Sequence, residues 1–415
     1  MDYLIAGAGP AGVTAAERLR HHDPAARITL LCGEPGEPYA RMAIPYLLEG
    51  QIDEPGTRLR KSEHLWESLD IQLRHERLTE LAADEDVVRL DSGASLRFDR
   101  LLIATGAMPV RPPIPGMDLP GVVSCWTLAD ARAIAQRAPE GARVVLMGAG
   151  FIGCIILESL VRRGVRLTVV EQGPRMVPRM LDETAGAMLQ SHVEARGVDV
   201  RVGTRVESVS EADGGLAVRL AGGDTLAADL VITATGVRSN IGFLAGSGVE
   251  TDQGVLVDEY LQSSRAGVFA AGDVAQGPDR LGGPRQVHAI QPTAVEHGRI
   301  AAANMARGGG VRYPGSLNMN VLETLGLISV SFGEWRAAEG RDAQVLEKTG
   351  DRYLRLTFDA EDRLVGAIAV GHTEKIGVLR GLIQSRRPLG AWRARLARHP
   401  LQWPEAYLGR IEALA

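Results

Sequence analysis

Two segments of the sequence share a pattern that limits what the chain can fold into. Residues 2–12 (DYLIAGAGPAG) and residues 143–153 (RVVLMGAGFIG) each have a short apolar run, then G-x-G-x-x-G, then a helix-compatible stretch. A second apolar run follows each of them, at residues 28–31 and 167–170. A strand, a glycine turn, a helix and a strand in this order form the βαβ unit that binds dinucleotides. The repeat therefore predicts two Rossmann-like dinucleotide-binding domains.

The residues of each glycine turn have separate roles. In the first repeat, Gly7 permits the tight turn, Gly9 lets the backbone approach a pyrophosphate, and Gly12 lets the helix pack closely on the sheet. The start of the helix, at Pro10 and Ala11, offers free N–H groups and a partial positive charge to the phosphates. The equivalent residues of the second repeat are Gly148, Gly150, Phe151, Ile152 and Gly153.

An acidic residue follows the second strand of each repeat, Glu34 in the first and Glu171 in the second. It lies roughly 20 residues beyond the glycine turn, where a carboxylate accepts hydrogen bonds from the hydroxyls of a bound ribose. Two turns that each have a strand, a helix and an acid in register argue against a purely structural role for the glycines. We therefore expect two nucleotide sites.

Composition and charge exclude several other classes of protein. The formal net charge is -5 and aromatic residues make up only 4%, which disfavours a nucleic-acid partner. The longest apolar run, residues 144–157, contains three glycines and is too short to cross a bilayer. The first residues lack the basic region of a signal peptide. We expect a cytoplasmic protein with no membrane span.

Three further motifs carry a family resemblance. They are LLIATGAMP at residues 101–109, LVITATGV at residues 230–237 and GVFAAGDV at residues 267–274. Together with the two glycine turns, they make nearly the whole chain resemble the FAD-dependent pyridine nucleotide–disulfide oxidoreductases of glutathione reductase-like fold. The resemblance implies that the first repeat binds FAD and the second binds NAD. It also implies that the cofactor sites include Thr105, Gly106, Gly236 and Asp273, the last as a partner of the FAD ribityl chain.

The resemblance also implies how the chain is divided. The fold class is α/β, with two Rossmann-like domains and a C-terminal α+β interface domain, whose apolar runs predict an antiparallel sheet. The FAD domain would comprise residues 1–115 and 240–310, the NAD domain residues 116–239, and the interface domain residues 311–415. Within the last of these, residues 313–333 are similar to the same segment of coenzyme A-disulfide reductases and NADH oxidases, which implies a homodimer.

One position separates this chain from the thiol-dependent members of the family. Met42 stands where disulfide-reducing members have a redox cysteine, and a thioether forms neither a thiolate nor a mixed disulfide. The three cysteines are scattered, at positions 32, 125 and 154, which excludes a C-x-x-C pair. The segment EPYARM instead resembles the PY-x-R pattern of rubredoxin and ferredoxin reductases, which implies that Arg41 lies against FAD. In the NAD repeat, Ile155 replaces the glutamate that orients the nicotinamide in many relatives.

These features predict a FAD-dependent oxidoreductase that passes electrons between NADH and a protein acceptor, either an iron–sulfur protein or one similar to ferredoxin or rubredoxin. We expect the flavin to carry the chemistry, with no catalytic side chain and no metal site. Glu171 would favour NADH over NADPH, because its carboxylate repels a 2′-phosphate, although Arg175 lies nearby. The five arginines between residues 386 and 398 would help to steer an acidic partner.

Three alternatives stay open at this point. The chain is a flavin subunit of a larger oxidoreductase complex, a reductase of a small molecule such as oxygen, a quinone or a persulfide, or a non-catalytic flavin redox sensor or scaffold. The electrons could also flow in the opposite direction, from a reduced protein to NAD.

Overall fold

The strands of each glycine repeat belong to a parallel sheet in the computed structural model. The structure describes residues 1–62, 64–336, 338, 341–372 and 374–412. The helices are α1 (Pro10–His22), α2 (Ile44–Leu48), α3 (Leu65–Ser68), α4 (Leu128–Arg137), α5 (Phe151–Arg162), α6 (Glu183–Glu194), α7 (Gln291–Arg307), α8 (Gly377–Ser385), α9 (Ala391–Arg398) and α10 (Trp403–Glu412). The strands are β1 (Asp2–Ala6), β2 (Arg27–Leu31), β3 (Ile71–Arg74), β4 (Leu78–Ala82), β5 (Val87–Leu90), β6 (Ser95–Arg97), β7 (Arg100–Ile103), β8 (Ala107–Pro109), β9 (Val122–Ser124), β10 (Arg143–Met147), β11 (Arg166–Glu171), β12 (Asp199–Val202), β13 (Val206–Ala212), β14 (Gly215–Leu220), β15 (Thr225–Ala228), β16 (Leu230–Thr233), β17 (Val237–Ser239), β18 (Val255–Leu256), β19 (Val268–Ala270), β20 (Ala275–Gly277), β21 (Gln286–Val287), β22 (Met319–Thr324), β23 (Leu327–Gly333), β24 (Arg341–Thr349), β25 (Arg352–Asp359) and β26 (Leu364–Val370).

The first of two compact units comprises Met1–Met108 and Val237–Ser316. Its main sheet has the strand order β19-β7-β1-β2-β3, with every neighbouring pair parallel. β1 is almost entirely buried because helices cover both faces of such a sheet, and its apolar run suits that position. α1 and α7 pack so closely that a Cβ on Gly298 would lie 2.4 Å from the carbonyl oxygen of Ala11.

The second unit comprises Pro109–Gly236 and Leu317–Ala415. It contains a parallel sheet of order β12-β11-β10-β16-β9 and an antiparallel sheet of order β22-β23-β26-β25-β24. Polar contacts join the part of this unit that contains the parallel sheet to the part that contains the antiparallel sheet. The Glu158 carboxylate accepts a hydrogen bond from the amide of Leu325 at 3.1 Å, and Tyr353 donates one to Asp182 at 2.6 Å.

The fold class is α/β, as the sequence predicts, with an antiparallel sheet after residue 317. The division into three domains, with boundaries after residues 115, 239 and 310, stays a prediction. No helix among the described residues combines the length and the apolar character needed to cross a membrane.

Candidate cofactor-binding sites

The first glycine turn lies between β1 and α1 and combines two crowded positions with one open position. Gly7 has φ +115°, and a Cβ there would lie 2.2 Å from the carbonyl oxygen of Ala104. A Cβ on Gly12 would lie 1.8 Å from the carbonyl oxygen of Gly7. A Cβ on Gly9, by contrast, would meet no described atom within 4 Å. The backbone at Gly9 therefore faces space at the N-terminus of a helix, which fits a pyrophosphate group.

Pro10 occupies the first turn of α1, and Ala11 is buried beside it. Gly9 is the N-cap of this helix and has no side chain to satisfy the free N–H groups of its first turn. The helix therefore presents unsatisfied donors and the positive end of its dipole at the open face of the turn. This arrangement suits the phosphates of a dinucleotide.

The acid of the first repeat belongs to a small polar cluster. The Glu34 carboxylate accepts a hydrogen bond from the Tyr39 hydroxyl at 2.6 Å and forms an ion pair with Arg41. Arg41 also donates to the Tyr39 hydroxyl at 3.1 Å. The structure thus brings two predicted site residues together and adds Tyr39, which the sequence analysis did not single out. The placement of Arg41 against FAD stays a prediction.

Asp273 lies in a short 3-10 turn, Gly272–Val274, at the end of β19. Burial raises the pKa of its carboxyl group to about 6, and the positive charge of Arg41 partly opposes this shift. No described side chain or amide donates a hydrogen bond to this carboxylate. A half-buried acceptor without a donor is costly, and the hydroxyls of a ribityl chain would satisfy it. The residues present therefore fit FAD.

The other two predicted residues of this unit follow β7. The Thr105 hydroxyl donates to the carbonyl oxygen of Asn240 at 2.9 Å, and the Asn240 amide donates to the carbonyl oxygen of Gly106 at 2.9 Å. Gly106 has φ +66°, a backbone conformation that residues other than glycine rarely adopt. These contacts fix the backbone at the carboxyl end of the parallel sheet, where ligands of open α/β sheets bind.

The second glycine turn repeats the geometry of the first. A Cβ on Gly148, which has φ +103°, would lie 2.5 Å from the carbonyl oxygen of Ala234, and a Cβ on Gly153 would lie 2.2 Å from that of Gly148. Gly150 again faces open space, with Phe151 and Ile152 half-buried in the first turn of α5. In the same unit, Gly236 has φ +104° and no described atom within 4 Å of its Cβ position.

Glu171 ends β11, and both of its carboxylate oxygens accept hydrogen bonds from backbone amides. One accepts from Ala149 at 2.7 Å and the other from Gly173 at 2.6 Å. The carboxylate therefore lies directly against the glycine turn, where a bound adenosine ribose would be. Ile155 is half-buried on α5 and brings no charge to this region.

The sulfur-containing residues do not form a thiol centre. Cys32, Cys125 and Cys154 are all buried, and burial raises the pKa of each thiol, to about 12 for the latter two. Met42, where the family resemblance places a redox cysteine in thiol-dependent members, is 49% exposed. Reactive thiols need the thiolate form and access to a substrate, and the buried cysteines have neither.

Three polar residues outside the glycine turns make contacts that the sequence does not indicate. Acidic residues neutralise part of the positive charge of the C-terminal arginines. Arg393 donates hydrogen bonds to Asp342 and to Asp362, the latter at 2.8 Å. Arg395 donates to Gln402 at 2.8 Å. His297, which the sequence analysis passed over, accepts a hydrogen bond through Nδ1 from the amide of Gly272.

The chain belongs to the pyridine nucleotide-disulphide oxidoreductase family, whose model matches residues 1–304. With the two turns and Asp273, whose carboxylate has no donor among the described residues, this membership makes the protein a FAD- and NAD-dependent oxidoreductase. The chain is 33% identical over 402 residues to NADH-dependent phenylglyoxylate dehydrogenase subunit epsilon of Aromatoleum evansii, covering 96% of this chain and 95% of that protein. It is 32% identical over 309 residues to rhodocoxin reductase of Rhodococcus erythropolis, covering 74% and 72%.

Solved structures agree with the fold. A NAD-dependent persulfide reductase from A. fulgidus superposes with a TM-score of 0.87 at 28% identity, covering 94% of this chain and 78% of that chain. The ferredoxin reductase for the CYP199A2 system of Rhodopseudomonas palustris gives a TM-score of 0.84 at 26% identity, covering 93% and 95%.

Proposed function

We propose that this protein passes electrons between NADH and an iron–sulfur or rubredoxin-like protein, and that it does so as the flavin subunit of a larger oxidoreductase complex. The observation that carries the proposal is Met42, an exposed thioether at the position where thiol-dependent members have their redox cysteine. Electron transfer to a protein redox centre needs no thiol. The relatives that match most of the chain support the proposal, because one is a dehydrogenase subunit and another is a reductase of rhodocoxin.

The chain's own residues have the task of binding and orientation. The open face at Gly9 and the start of α1 would hold the FAD phosphates, Glu34 the ribose, and Asp273 the ribityl chain. In the second unit, Gly150 and the start of α5 would hold the NAD phosphates, with Glu171 at the adenosine ribose. When bound, FAD supplies the chemistry that links a two-electron donor to a one-electron acceptor.

A thiol-based reduction of persulfides or disulfides has less support. It needs a thiolate that reaches its substrate, and the pKa of each cysteine is raised by burial. The likeness to a persulfide reductase therefore supports the fold and not that chemistry. Reduction of oxygen or a quinone remains the second candidate for a chain that retains the flavin site without the thiol.

The acceptor would dock at a cationic cavity in the first unit. This cavity has a volume of about 340 Å³ and lies beside Pro10, at the start of α1. Three arginines line it, and Arg60 pairs with Glu17. Arg18 and Arg299 are exposed and form no ion pair with a described residue. Free positive charge next to the predicted flavin phosphates would attract an acidic electron carrier.

Co-purification tests this function. The tagged chain should bring down iron–sulfur subunits from its own cells, and the complex should reduce their clusters with NADH under anaerobic conditions. A chain that purifies alone and converts NADH and oxygen to peroxide or water at its highest rate would contradict the proposal. The homodimer and the cytoplasmic location stay part of the proposal, and light scattering of the purified complex would measure the former.

A further inference from the structure

A buried histidine of α7 contacts the turn that carries Asp273. His297 is 2% exposed, and its Nδ1 accepts a hydrogen bond from the amide of Gly272 at 3.2 Å. Gly272 immediately precedes Asp273 in the chain. The histidine side chain is therefore attached to the backbone one residue away from the carboxylate that the FAD site requires.

The hydrogen bond fixes the protonation of the ring. Because Nδ1 accepts, it carries no proton, and the single proton of the neutral ring must be on Nε2. Burial lowers the pKa of His297 to about 3, so the ring stays neutral at ordinary pH. Tyr313 packs edge-on against it, with ring centroids 4.6 Å apart, and this packing limits rotation of the imidazole.

Backbone hydrogen bonds hold the start of the turn, where the Ala271 amide donates to the carbonyl oxygen of Ile103 at 3.0 Å. The carbonyl oxygen of Asp273 accepts a hydrogen bond from the Ser239 hydroxyl at 2.8 Å. Gly272 has φ +76°, and a Cβ there would lie 3.2 Å from the Cβ of Ala11, so the turn is confined beside α1. The Asp273 carboxylate itself is held by no described donor. Its position therefore depends on the backbone, which His297, Ser239 and the hydrogen bond of the Ala271 amide hold together.

We propose that His297 is a positioning residue of the flavin site, which holds the Gly272 amide and thereby directs the Asp273 carboxylate toward the ribityl chain of FAD. The inference rests on the proposed role of Asp273. It predicts that FAD affinity depends on an acceptor at position 297, and that this dependence disappears when the Asp273 carboxylate is removed.

A double-mutant cycle measures this coupling. FAD is titrated into flavin-free protein, and its dissociation constant is measured for wild type, His297→Leu, Asp273→Asn and the double variant. We expect His297→Leu to weaken binding about tenfold, because it leaves the Gly272 amide unpaired and frees the turn. His297→Gln keeps an acceptor and should bind nearly as wild type does. In the Asp273→Asn background, His297→Leu should have little further effect.

Asn304 provides a matched control on the same helix. It is fully buried and donates to the carbonyl oxygens of Tyr260 and Val311, but it does not touch Gly272. Asn304→Leu should lower the free energy of unfolding and leave the FAD dissociation constant unchanged. If His297→Leu behaves like Asn304→Leu, the role of His297 is merely structural and the inference is wrong.

The outcomes separate this inference from the proposed function. Unchanged binding in Asp273→Asn would remove Asp273 from the flavin site. Weaker binding in that variant, together with additive effects in the cycle, would overturn only the role of His297. If His297→Leu does not fold, nitrogen-15 spectra of histidine-labelled wild-type protein decide the question. A signal from a neutral ring with unprotonated Nδ1 supports the inference, and a ring protonated at Nδ1 overturns it.

Discussion

The Glu171 carboxylate accepts a hydrogen bond from the amide of Ala149, the middle residue of the second glycine turn, at 2.7 Å. Its other oxygen accepts from the amide of Gly173 at 2.6 Å. The residue that would select the nicotinamide cofactor therefore also holds the turn that would bind the cofactor's phosphates. Specificity and loop structure depend on one side chain.

This arrangement predicts a preference for NADH. A 2′-phosphate would lie against a carboxylate that two backbone amides hold in place, and such like-charge contact costs several kcal/mol. We expect the kcat/KM for NADH to exceed that for NADPH by at least about tenfold. Steady-state kinetics with both cofactors measure the ratio, and a higher value for NADPH would refute the assignment.

A substitution of the same residue should change this ratio. Glu171→Gln removes the charge while its side-chain oxygen can still accept one of the two amide hydrogen bonds. We expect the discrimination against NADPH to fall, with a smaller change for NADH. Asp199→Asn is the charge-matched control. Asp199 is an exposed acid on the neighbouring strand β12, and its substitution should leave the ratio of kcat/KM for NADH to that for NADPH unchanged.

The glycines of the first turn should separate stability from cofactor binding. Gly9→Ala places a methyl group in open space, so the protein should fold normally and bind FAD at least about tenfold more weakly, because the methyl group would occupy the phosphate position. Gly12→Ala forces a contact of 1.8 Å with a backbone oxygen and should prevent stable folding. Thermal unfolding and FAD titration distinguish the two effects.

Gly242→Ala is the control for that comparison. Its Cβ would also meet no described atom within 4 Å, but the residue lies outside the glycine turns. Folding and FAD binding should both be unchanged. Normal FAD binding by Gly9→Ala would show that the open face of α1 is not the phosphate site.

Asp273 should make the flavin-free protein sensitive to pH. Its folded-state pKa is about 6, above the ordinary value of 3.8, so the ionised form is the less stable one. The contribution of this group to the free energy of unfolding is fully present below about pH 4 and is lost as the pH rises through about 6. The loss is on the order of 3 kcal/mol. Asp273→Asn removes this dependence. In urea unfolding experiments, the free energy of unfolding of the variant minus that of wild type should therefore increase between about pH 4 and about pH 6.

FAD binding should show the opposite trend. Hydroxyl donors of the ribityl chain stabilise the ionised carboxylate, so FAD affinity for wild type should increase as the pH rises through about 6. Titrations at several pH values test this, with Asp273→Asn as the pH-insensitive reference. A flat wild-type profile would mean that the carboxylate does not contact the cofactor.

The sequence predicts the parts of these sites that depend on local backbone geometry. The G-x-G-x-x-G turns demand glycine at fixed offsets because a Cβ at Gly7 or Gly148 would collide with a neighbouring strand end, and this requirement is visible in the sequence. The acids at positions 34 and 171 follow from the length of the βαβ unit. Parallel pairing of β1 and β2 follows from the same pattern.

Contacts between distant segments were not predictable in this way. Arg393 pairs with Asp342, 51 residues away, and the sequence shows only an arginine-rich stretch without acids. His297 meets Gly272 across 25 residues, and nothing in the local pattern distinguishes it from a core histidine. Such pairs depend on how distant segments pack within each unit, and that packing is determined by the fold of the whole unit.

Turnover should not require any cysteine. We expect the variant Cys32→Ala, Cys125→Ala, Cys154→Ala to pass electrons from NADH to an artificial acceptor at the wild-type rate, because all three thiols are buried. Alanine avoids the buried hydroxyl that serine would introduce. Each change should lower the free energy of unfolding by about 1 kcal/mol. A folded, FAD-loaded variant that cannot transfer electrons would contradict the thiol-free mechanism.

The exposed arginines of the cavity, Arg18 on α1 and Arg299 on α7, should control delivery of electrons to the protein acceptor. Arg18→Gln together with Arg299→Gln removes two positive charges that no described acid neutralises. We expect the rate to an acidic iron–sulfur acceptor to fall about tenfold at low salt, because complementary charge mainly raises the encounter rate. The difference should shrink at high salt, where screening weakens the attraction. Stopped-flow kinetics with the native acceptor measure both.

Two C-terminal arginines provide the matched comparison. Arg395 and Arg398 are also exposed, but each donates a hydrogen bond within its own unit, Arg395 to Gln402 and Arg398 to the carbonyl oxygen of Ala394. Arg395→Gln with Arg398→Gln should slow delivery less than the cavity pair does. Reduction by NADH should be unchanged in both double variants, because neither pair belongs to the second glycine turn. If the C-terminal pair has the larger effect, the acceptor docks on the arginine-rich helix and not at the cavity.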